Sequence, residues 1–231
     1  MNTTPLLYQT FKGLNDAMKG SLDGTRIESI KDTINNYAIA SAVASMAANV
    51  IPGVAGVVAA LSQAGFVWAT YVKINQTLGI SMSENTAKFI GSAVLTNIVT
   101  CSGALLISYA GAAVLSFIPI WGQVASAAID SALGYIIIYV AAVIYLAFIT
   151  KMMQPDGTLK VPEEDDTKHL IQGIINESNL LGLIKEGRNS YKQAKANGDL
   201  DNAKKHHKCP GCGAEVRPGQ KFCSDCGMAL N

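Results

Sequence analysis

The sequence predicts a mainly α fold, in which a bundle of about four long apolar helices precedes a small cysteine-rich domain. Two observations carry this prediction. The first is that residues 33–150 contain only four charged side chains. The second is that four of the five cysteines stand in two C-x-x-C pairs near the C terminus. The four charged residues of the apolar region are Lys73, Glu84, Lys88 and Asp130.

The composition separates an apolar middle from polar ends. Hydrophobic residues make up 49 % of the 231 residues and charged residues only 15 %, against about 25 % charged in a typical soluble domain. The segment from residue 151 onward holds 12 of the 18 Lys and Arg residues and 11 of the 17 Asp and Glu residues. The net charge of +1 gives no electrostatic basis for bulk nucleic-acid binding, so a nucleic-acid partner is not expected.

Residues 1–35 are predicted to form an amphipathic N-terminal segment. Ile27, Ile30 and Ile34 recur at spacings of three and four with charged residues between them, which predicts a helix from about Gly24 into the apolar region. Its basic residues could contact anionic lipid headgroups. The acidic residues that balance them favour a solvated helix face packed on the main body. The first residues lack the basic stretch and the long apolar core of a secretory signal.

The apolar region, assigned to residues 36–152, has the composition of helices that contact lipid. No charge occurs in residues 33–72, 89–129 or 131–150, and a helix needs about 20 apolar residues to cross a bilayer. Gly, Ala and Ser are frequent, and such small residues allow membrane helices to pack closely. We therefore expect a lipid bilayer as a partner. Helices are predicted at 36–50, 53–78, 83–116 and 121–152, with Ser83 as the N-cap of the third.

Two prolines divide the apolar region into similar halves. Pro52 and Pro119 each follow one apolar run and precede another, and proline fits the first turn of a helix but breaks a preceding one. The segments that contain them both begin small and apolar and become aromatic, as IPGVAGVVAALSQAGFVWATY and IPIWGQVASAAIDSALGYIIIY. This pattern predicts an internal duplication of a helix–proline–helix unit.

The same segments carry a resemblance to a known family. An Ile51-Pro52-Gly53 break opens a small-residue helix, the loop GISMS follows, and a second break comes at Ile118-Pro119. Residues 50–90 and 110–139 thereby resemble the helical, membrane-associated domain of a family of bacterial GTPases, which implies membrane association. The chain differs from these GTPases because it has no G-x-x-x-x-G-K-[S/T] loop and too few residues for a GTPase domain. No nucleotide chemistry is expected.

Asp130 and Cys101 are chemically distinctive residues of the apolar region. An aspartate at the centre of a bilayer costs about 2.5–3.5 kcal/mol. Asp130 either faces a polar cavity or ion path, or lies near an interface or buried with hydrogen bonds to Ser126, Ser131 or Gln123. The lack of a partner base favours the second interpretation. Cys101 is predicted to be a small core residue.

Residues 153–208 are predicted to contain a polar, amphipathic helix and a linker. The Pro155-Asp156-Gly157 sequence gives a turn signal, and the acidic cluster at 163–166 favours the N terminus of a helix. The apolar stripe that follows packs back on the main body, lies on a membrane surface or binds a partner, and core packing is favoured. The stripe consists of Leu170, Ile171, Ile174, Ile175, Leu181 and Ile184.

Residues 209–231 contain the most specific motif of the chain, CPGCGAEVRPGQKFCSDCG. A glycine follows each C-x-x-C pair and permits a tight turn in which backbone amides point at the sulfur atoms. Four thiolates at this spacing suit a tetrahedral structural Zn²⁺, with zinc–sulfur distances of about 2.3 Å. The predicted metal ligands are Cys209, Cys212, Cys223 and Cys226.

This motif resembles the small zinc-ribbon domain found at the ends of many bacterial and archaeal membrane proteins. Because so short a segment has no hydrophobic core of its own, metal binding is expected to drive its folding. A closed set of four thiolates leaves no open position for catalysis by the metal. A pair of redox dithiols is the alternative. His206 and His207 are expected to belong to the linker, since four thiolates already complete the tetrahedron.

The chain is not expected to be an enzyme, because it shows no Ser/His/Asp set, no paired carboxylates in an apolar pocket and no phosphate loop. The favoured hypothesis is an integral membrane or membrane-associated protein whose zinc ribbon binds an unidentified protein partner. Zinc thiolates require a reducing compartment, which predicts a cytoplasmic C-terminal tail. The alternatives are a membrane-inserting or pore-forming protein with a soluble form, and a soluble helical adaptor with a zinc ribbon. A homo-oligomer is compatible with each hypothesis.

Overall fold

The structure, a computed structural model, is helical over most of the chain that it describes, which confirms the predicted mainly α fold. The described residues are 5–47, 63–115, 123–154 and 156–205, with Cys209, Ala214, Phe222, Cys223 and Asp225 of the C-terminal segment. Within them the helices are α1 (Leu6–Ala17), α2 (Gly24–Ala47), α3 (Ala64–Leu78), α4 (Glu84–Leu115), α5 (Gln123–Met152), α6 (Glu164–Glu177), α7 (Leu180–Ala196) and α8 (Asp199–Lys205).

The four long predicted helices are present where the structure describes them. α4 and α5 cover nearly all of the predicted helices, and α3 covers the C-terminal part of the second. The Thr86 amide donates to Ser83 Oγ at 3.1 Å, which confirms Ser83 as the N-cap of α4. α2 joins the amphipathic N-terminal helix and the first apolar helix without a break. Pro52 and Pro119, on which the predicted duplication depends, lie outside the described residues.

The helices differ from the sequence-based expectation in two places. α1 was not predicted, and the amphipathic segment after residue 163 forms two helices, α6 and α7, in place of one. Asn179 is the N-cap of α7, and its Oδ1 accepts a hydrogen bond from the Gly182 amide at 2.9 Å. A Cβ at Gly182 would lie 2.8 Å from Leu6 Cδ1, so the glycine lets α1 approach α7. Most of the apolar stripe packs on the main body, as predicted, with Ile171, Ile174, Ile175 and Ile184 buried.

α5 forms the centre of the bundle. It contacts α1, α2, α3, α4, α6 and α7, and 94 % of its most apolar window, within Ala127–Met152, is buried. On the α3 side the rings of Tyr71 and Tyr145 stack with their centroids 3.7 Å apart. The Tyr71 hydroxyl donates to the Ala141 carbonyl oxygen at 3.0 Å, and the Tyr145 hydroxyl donates to Asn75 Oδ1 at 2.8 Å. These pairs show that α3 runs parallel to α5.

α2 and α5 approach closely at Gly134. A Cβ at this position would lie 2.6 Å from Ser45 Oγ, 2.9 Å from Ser41 Oγ and 3.1 Å from the Ser41 carbonyl oxygen. The two serine hydroxyls are also bridged by the Gln63 side chain, which donates to Ser45 Oγ at 3.0 Å and accepts from Ser41. The end of α2, the start of α3 and this part of α5 are thus joined by buried hydrogen bonds.

α1 is held at its N terminus by a residue that lies 180 positions later in the sequence. Glu186 of α7 accepts hydrogen bonds from the amides of Leu6 at 2.6 Å and Leu7 at 3.4 Å. A carboxylate at this position satisfies free amides of the first turn and interacts favourably with the helix dipole. The Tyr139 hydroxyl of α5 donates to the same carboxylate at 3.2 Å. Glu186 therefore fastens α1 to both α5 and α7.

The Gly134→Ala substitution is expected to destabilise the bundle by about 1–3 kcal/mol, because the added methyl group has no space between α2 and α5. Gly173→Ala in α6 is the matched control. No atom lies within 4 Å of a Cβ at Gly173, so the gain in helix propensity should stabilise by about 0.5–1 kcal/mol. Chemical denaturation followed by circular dichroism measures both. A Gly134→Ala variant as stable as the control would contradict the close packing described here.

Candidate metal centre and exposed apolar face

The structure describes one cysteine of each C-x-x-C pair. Cys209 and Cys223 are only 2 % and 3 % exposed, although they belong to a short segment with few apolar residues. Cys212 and Cys226 lie outside the described residues. A metal site that takes two ligands from each pair requires thiols from both pairs to be buried, and the two described cysteines meet this requirement.

Two hydrogen bonds donated by backbone amides shape the turns around these cysteines. The Cys209 amide donates to the Ala214 carbonyl oxygen at 2.7 Å, which closes the loop that contains the first pair. The Asp225 amide donates to Cys223 Sγ at 3.4 Å. An amide directed at sulfur stabilises the thiolate form that binds metal. The described part of the segment therefore fits a thiolate metal site.

Residues 208–230 match the family model of the zinc-ribbon domain. The chain carries a zinc-ribbon domain. The match spans both cysteine pairs and confirms the predicted nature of the C-terminal segment. No curated protein and no solved structure matches the chain. The resemblance of the apolar region to the membrane domain of bacterial GTPases is accordingly not supported.

Zinc ribbons hold a structural zinc ion, and the residues present suit that role. The segment offers four thiolates at tetrahedral-site spacing, Cys209, Cys212, Cys223 and Cys226, and their assignment as ligands stays a prediction. His206 and His207 lie outside the described residues. Elsewhere in the part of the chain that the structure describes, no three His, Cys, Asp or Glu side chains are grouped to hold a metal ion.

α4 exposes a long surface without charge. Two described helices are long and apolar enough to cross a bilayer, but only 39 % of the most apolar window of α4 is buried, against 94 % for α5. Leu105 is 45 % exposed and Ile107 is 53 % exposed. We call this surface the α4 face; it consists of the exposed residues Ser92, Thr96, Thr100, Cys101, Ala104, Leu105, Ile107 and Ser108.

Cys101 belongs to this face, and the prediction that it is a core residue is wrong. The prediction rested on the general tendency of free cysteine to be buried as a small apolar residue. α4 instead buries a different stripe, which includes Ile98, Leu106 and Ala110, against α5 and its neighbours. Asp130 of α5 is buried, with 8 % exposure, and its hydrogen bonding to Ser126, Ser131 or Gln123 stays a prediction.

Charged side chains from other helices lie along the edges of α4. Arg188 of α7 lies over the Tyr109 ring at 5.3 Å, and Lys168 of α6 lies over the Phe89 ring at 5.8 Å. α6 and α7 both pack directly on α4. The apolar helix pair α4–α5 is therefore flanked by amphipathic helices whose outer surfaces are polar. The periodicity predicted an amphipathic segment packed on the main body, but not which helices it flanks.

The purified full-length protein is expected to contain one zinc ion per chain, because the two cysteine pairs provide one tetrahedral set of thiolates. Cys223→Ser should abolish this zinc content and the thiolate-to-metal absorption of the cobalt-substituted protein. Cys101→Ser is the matched control and should change neither. Elemental analysis and absorption spectroscopy make the measurement. Full zinc content in Cys223→Ser, or zinc loss in Cys101→Ser, would contradict the assignment.

Proposed function

We propose that this protein is a non-enzymatic, membrane-associated helical protein whose zinc ribbon binds a protein partner in the cytoplasm. The observation that carries the membrane part is the α4 face, an exposed helical surface without charge on a bundle whose other amphipathic helices present charged residues to water. An uncharged exposed surface that includes large apolar side chains such as Leu105 and Ile107 is typical of a site of protein or membrane contact.

The zinc ribbon supports the second part of the proposal. A ribbon held by four thiolates offers no open metal position for catalysis, and its small size suits a binding module. It follows the helical bundle through α8 and a polar segment. Buried thiolates that bind zinc persist in a reducing compartment, which supports a cytoplasmic position for the ribbon.

A second candidate function, a soluble helical adaptor, is favoured by one specific observation. α5 has the composition of a membrane span, yet 94 % of its most apolar window is enclosed by other helices. A core helix of a soluble bundle has this property. In this alternative the α4 face would be covered by a protein.

The test is fractionation of cells that produce the full-length protein, followed by flotation of the purified protein with phosphatidylcholine vesicles. We expect the chain in the membrane fraction and in the floating layer, because the α4 face is removed from water there. Cys223→Ser, which disrupts the ribbon, should float to the same extent. If the protein is monodisperse in plain buffer and does not bind vesicles, this result would contradict membrane association and favour the soluble adaptor.

A further inference from the structure

We infer that the α4 face is the surface that contacts the membrane. We further infer that α4 lies parallel to the bilayer surface and does not cross the bilayer. This inference rests on the proposed membrane association and assigns a specific face and orientation to it. The occupant is the interfacial region of a phospholipid bilayer, where acyl chains meet headgroups.

The length of the α4 face and its lack of charge suit contact with the interfacial region of a bilayer. From Ser92 to Ser108 the exposed side chains are small, hydroxylated or apolar, and this stretch of helix is about 24 Å long. No charged residue occurs in residues 89–129. The uncharged stretch thus continues beyond α4 into the connection to α5, so an apolar phase can cover the face without enclosing a charge of α4 itself.

Aromatic rings with cations above them stand at both ends of the α4 face. Near the start of α4, Lys88 lies 4.7 Å from the centre of the Trp68 ring, and Lys168 lies over Phe89. Near the other end, Arg188 lies over Tyr109. Trp and Tyr are enriched at the level of lipid headgroups, and the long stems of Lys and Arg lie along apolar surface while their charges stay in water.

Two of these cation–ring pairs also contain a nitrogen that donates no hydrogen bond. Among the described residues, the buried side-chain nitrogens without a hydrogen-bond partner are Trp68 Nε1 and Arg188 Nε. One lies at each end of the face. The ester and phosphate oxygens of lipid headgroups accept hydrogen bonds from such donors when the side chains turn outward, whereas an apolar protein partner would leave them unsatisfied.

The cations at the rim are largely neutralised by acids, so apolar contact dominates the inferred binding. Lys88 forms an ion pair with Glu84, and Lys168 forms one with Asp165 at 2.9 Å. The hydrogen bond and the attraction of Asp165 raise the pKa of Lys168. Binding should therefore depend only weakly on salt and on anionic lipid.

The position of α7 determines the orientation. α7 packs on both α4 and α5, and its Lys185 is exposed while Glu186 and Arg188 are partly exposed. A bundle that crossed the bilayer along α4 would bring these charges into the acyl region, where each is costly. A bundle that lies on the bilayer with the α4 face downward leaves them in water.

The experiment places a single tryptophan in the full-length chain, after Trp68→Phe and Trp121→Phe remove the two native ones. Ile107→Trp puts the probe on the α4 face. Leu181→Trp is the matched control, because Leu181 is an apolar residue of α7 that is 39 % exposed and lies outside the face. With vesicles that contain brominated acyl chains, the emission of the Ile107→Trp probe should shift to the blue and be quenched. The emission of the Leu181→Trp probe should do neither.

A second pair of variants tests the contribution of the face to binding. Ile107→Asp should weaken partition into phosphatidylcholine vesicles about tenfold, since a charge there enters the apolar zone, and Leu181→Asp should leave it unchanged. Both positions are exposed, so circular dichroism should show a folded bundle in each variant.

The outcomes separate the two proposals. Flotation of the Ile107→Trp variant with an unquenched probe would overturn the α4 assignment while membrane association stands. Absence of flotation of the unsubstituted chain, which keeps Trp68, would overturn both. Equal quenching at positions 107 and 181 would overturn the in-plane orientation. A dimer in plain buffer that Ile107→Asp dissociates in sedimentation would assign the face to a second copy of the chain and overturn the lipid contact.

Discussion

α5 carries charge only at Asp130 and Lys151 across its 30 residues. Contact between water and so apolar a helix is unfavourable, so other helices must cover it on every side. Its cover comes from both directions along the chain, with α1 to α4 before it and α6 and α7 after it. Burial of apolar area stabilises a fold by roughly 25 cal/mol per Å². Because α5 has no polar face, the arrangement of the other helices follows from the requirement to enclose it.

Polar groups fix how the covering helices sit on α5. Hydrophobic contact is not directional, and an unpaired buried polar group costs about 1–3 kcal/mol. The Gln63 bridge between Ser41 and Ser45 beside Gly134, and the hydrogen bond from Tyr145 to Asn75, therefore select one alignment of α2 and α3 against α5. Small residues allow the close approach, and the hydrogen bonds determine its register.

Sequence patterns predicted the long helices and the zinc ribbon because both signals are local. The helix of α4 starts at a Ser83 cap, and the cysteine spacing belongs to one short segment. Local sequence patterns could not predict which of the apolar helices is buried and which is exposed. Absence of charge describes α4 and α5 equally, but burial differs because α1 and α2, distant in sequence, pack extensively on α5 and make no comparable contact with α4. The exposure of Cys101 and the capping of α1 by Glu186 are likewise consequences of tertiary contacts.

The enclosure of α5 by α7 has a consequence for biosynthesis. α5 leaves the ribosome before α6 and α7 exist, and at roughly 5–20 residues per second their synthesis takes seconds. During that interval the side of α5 that α6 and α7 cover stays open, and α1 has no Glu186 to hold its first turn. A chaperone or a nearby bilayer that shields α5 in this interval would decide whether the polypeptide folds or aggregates.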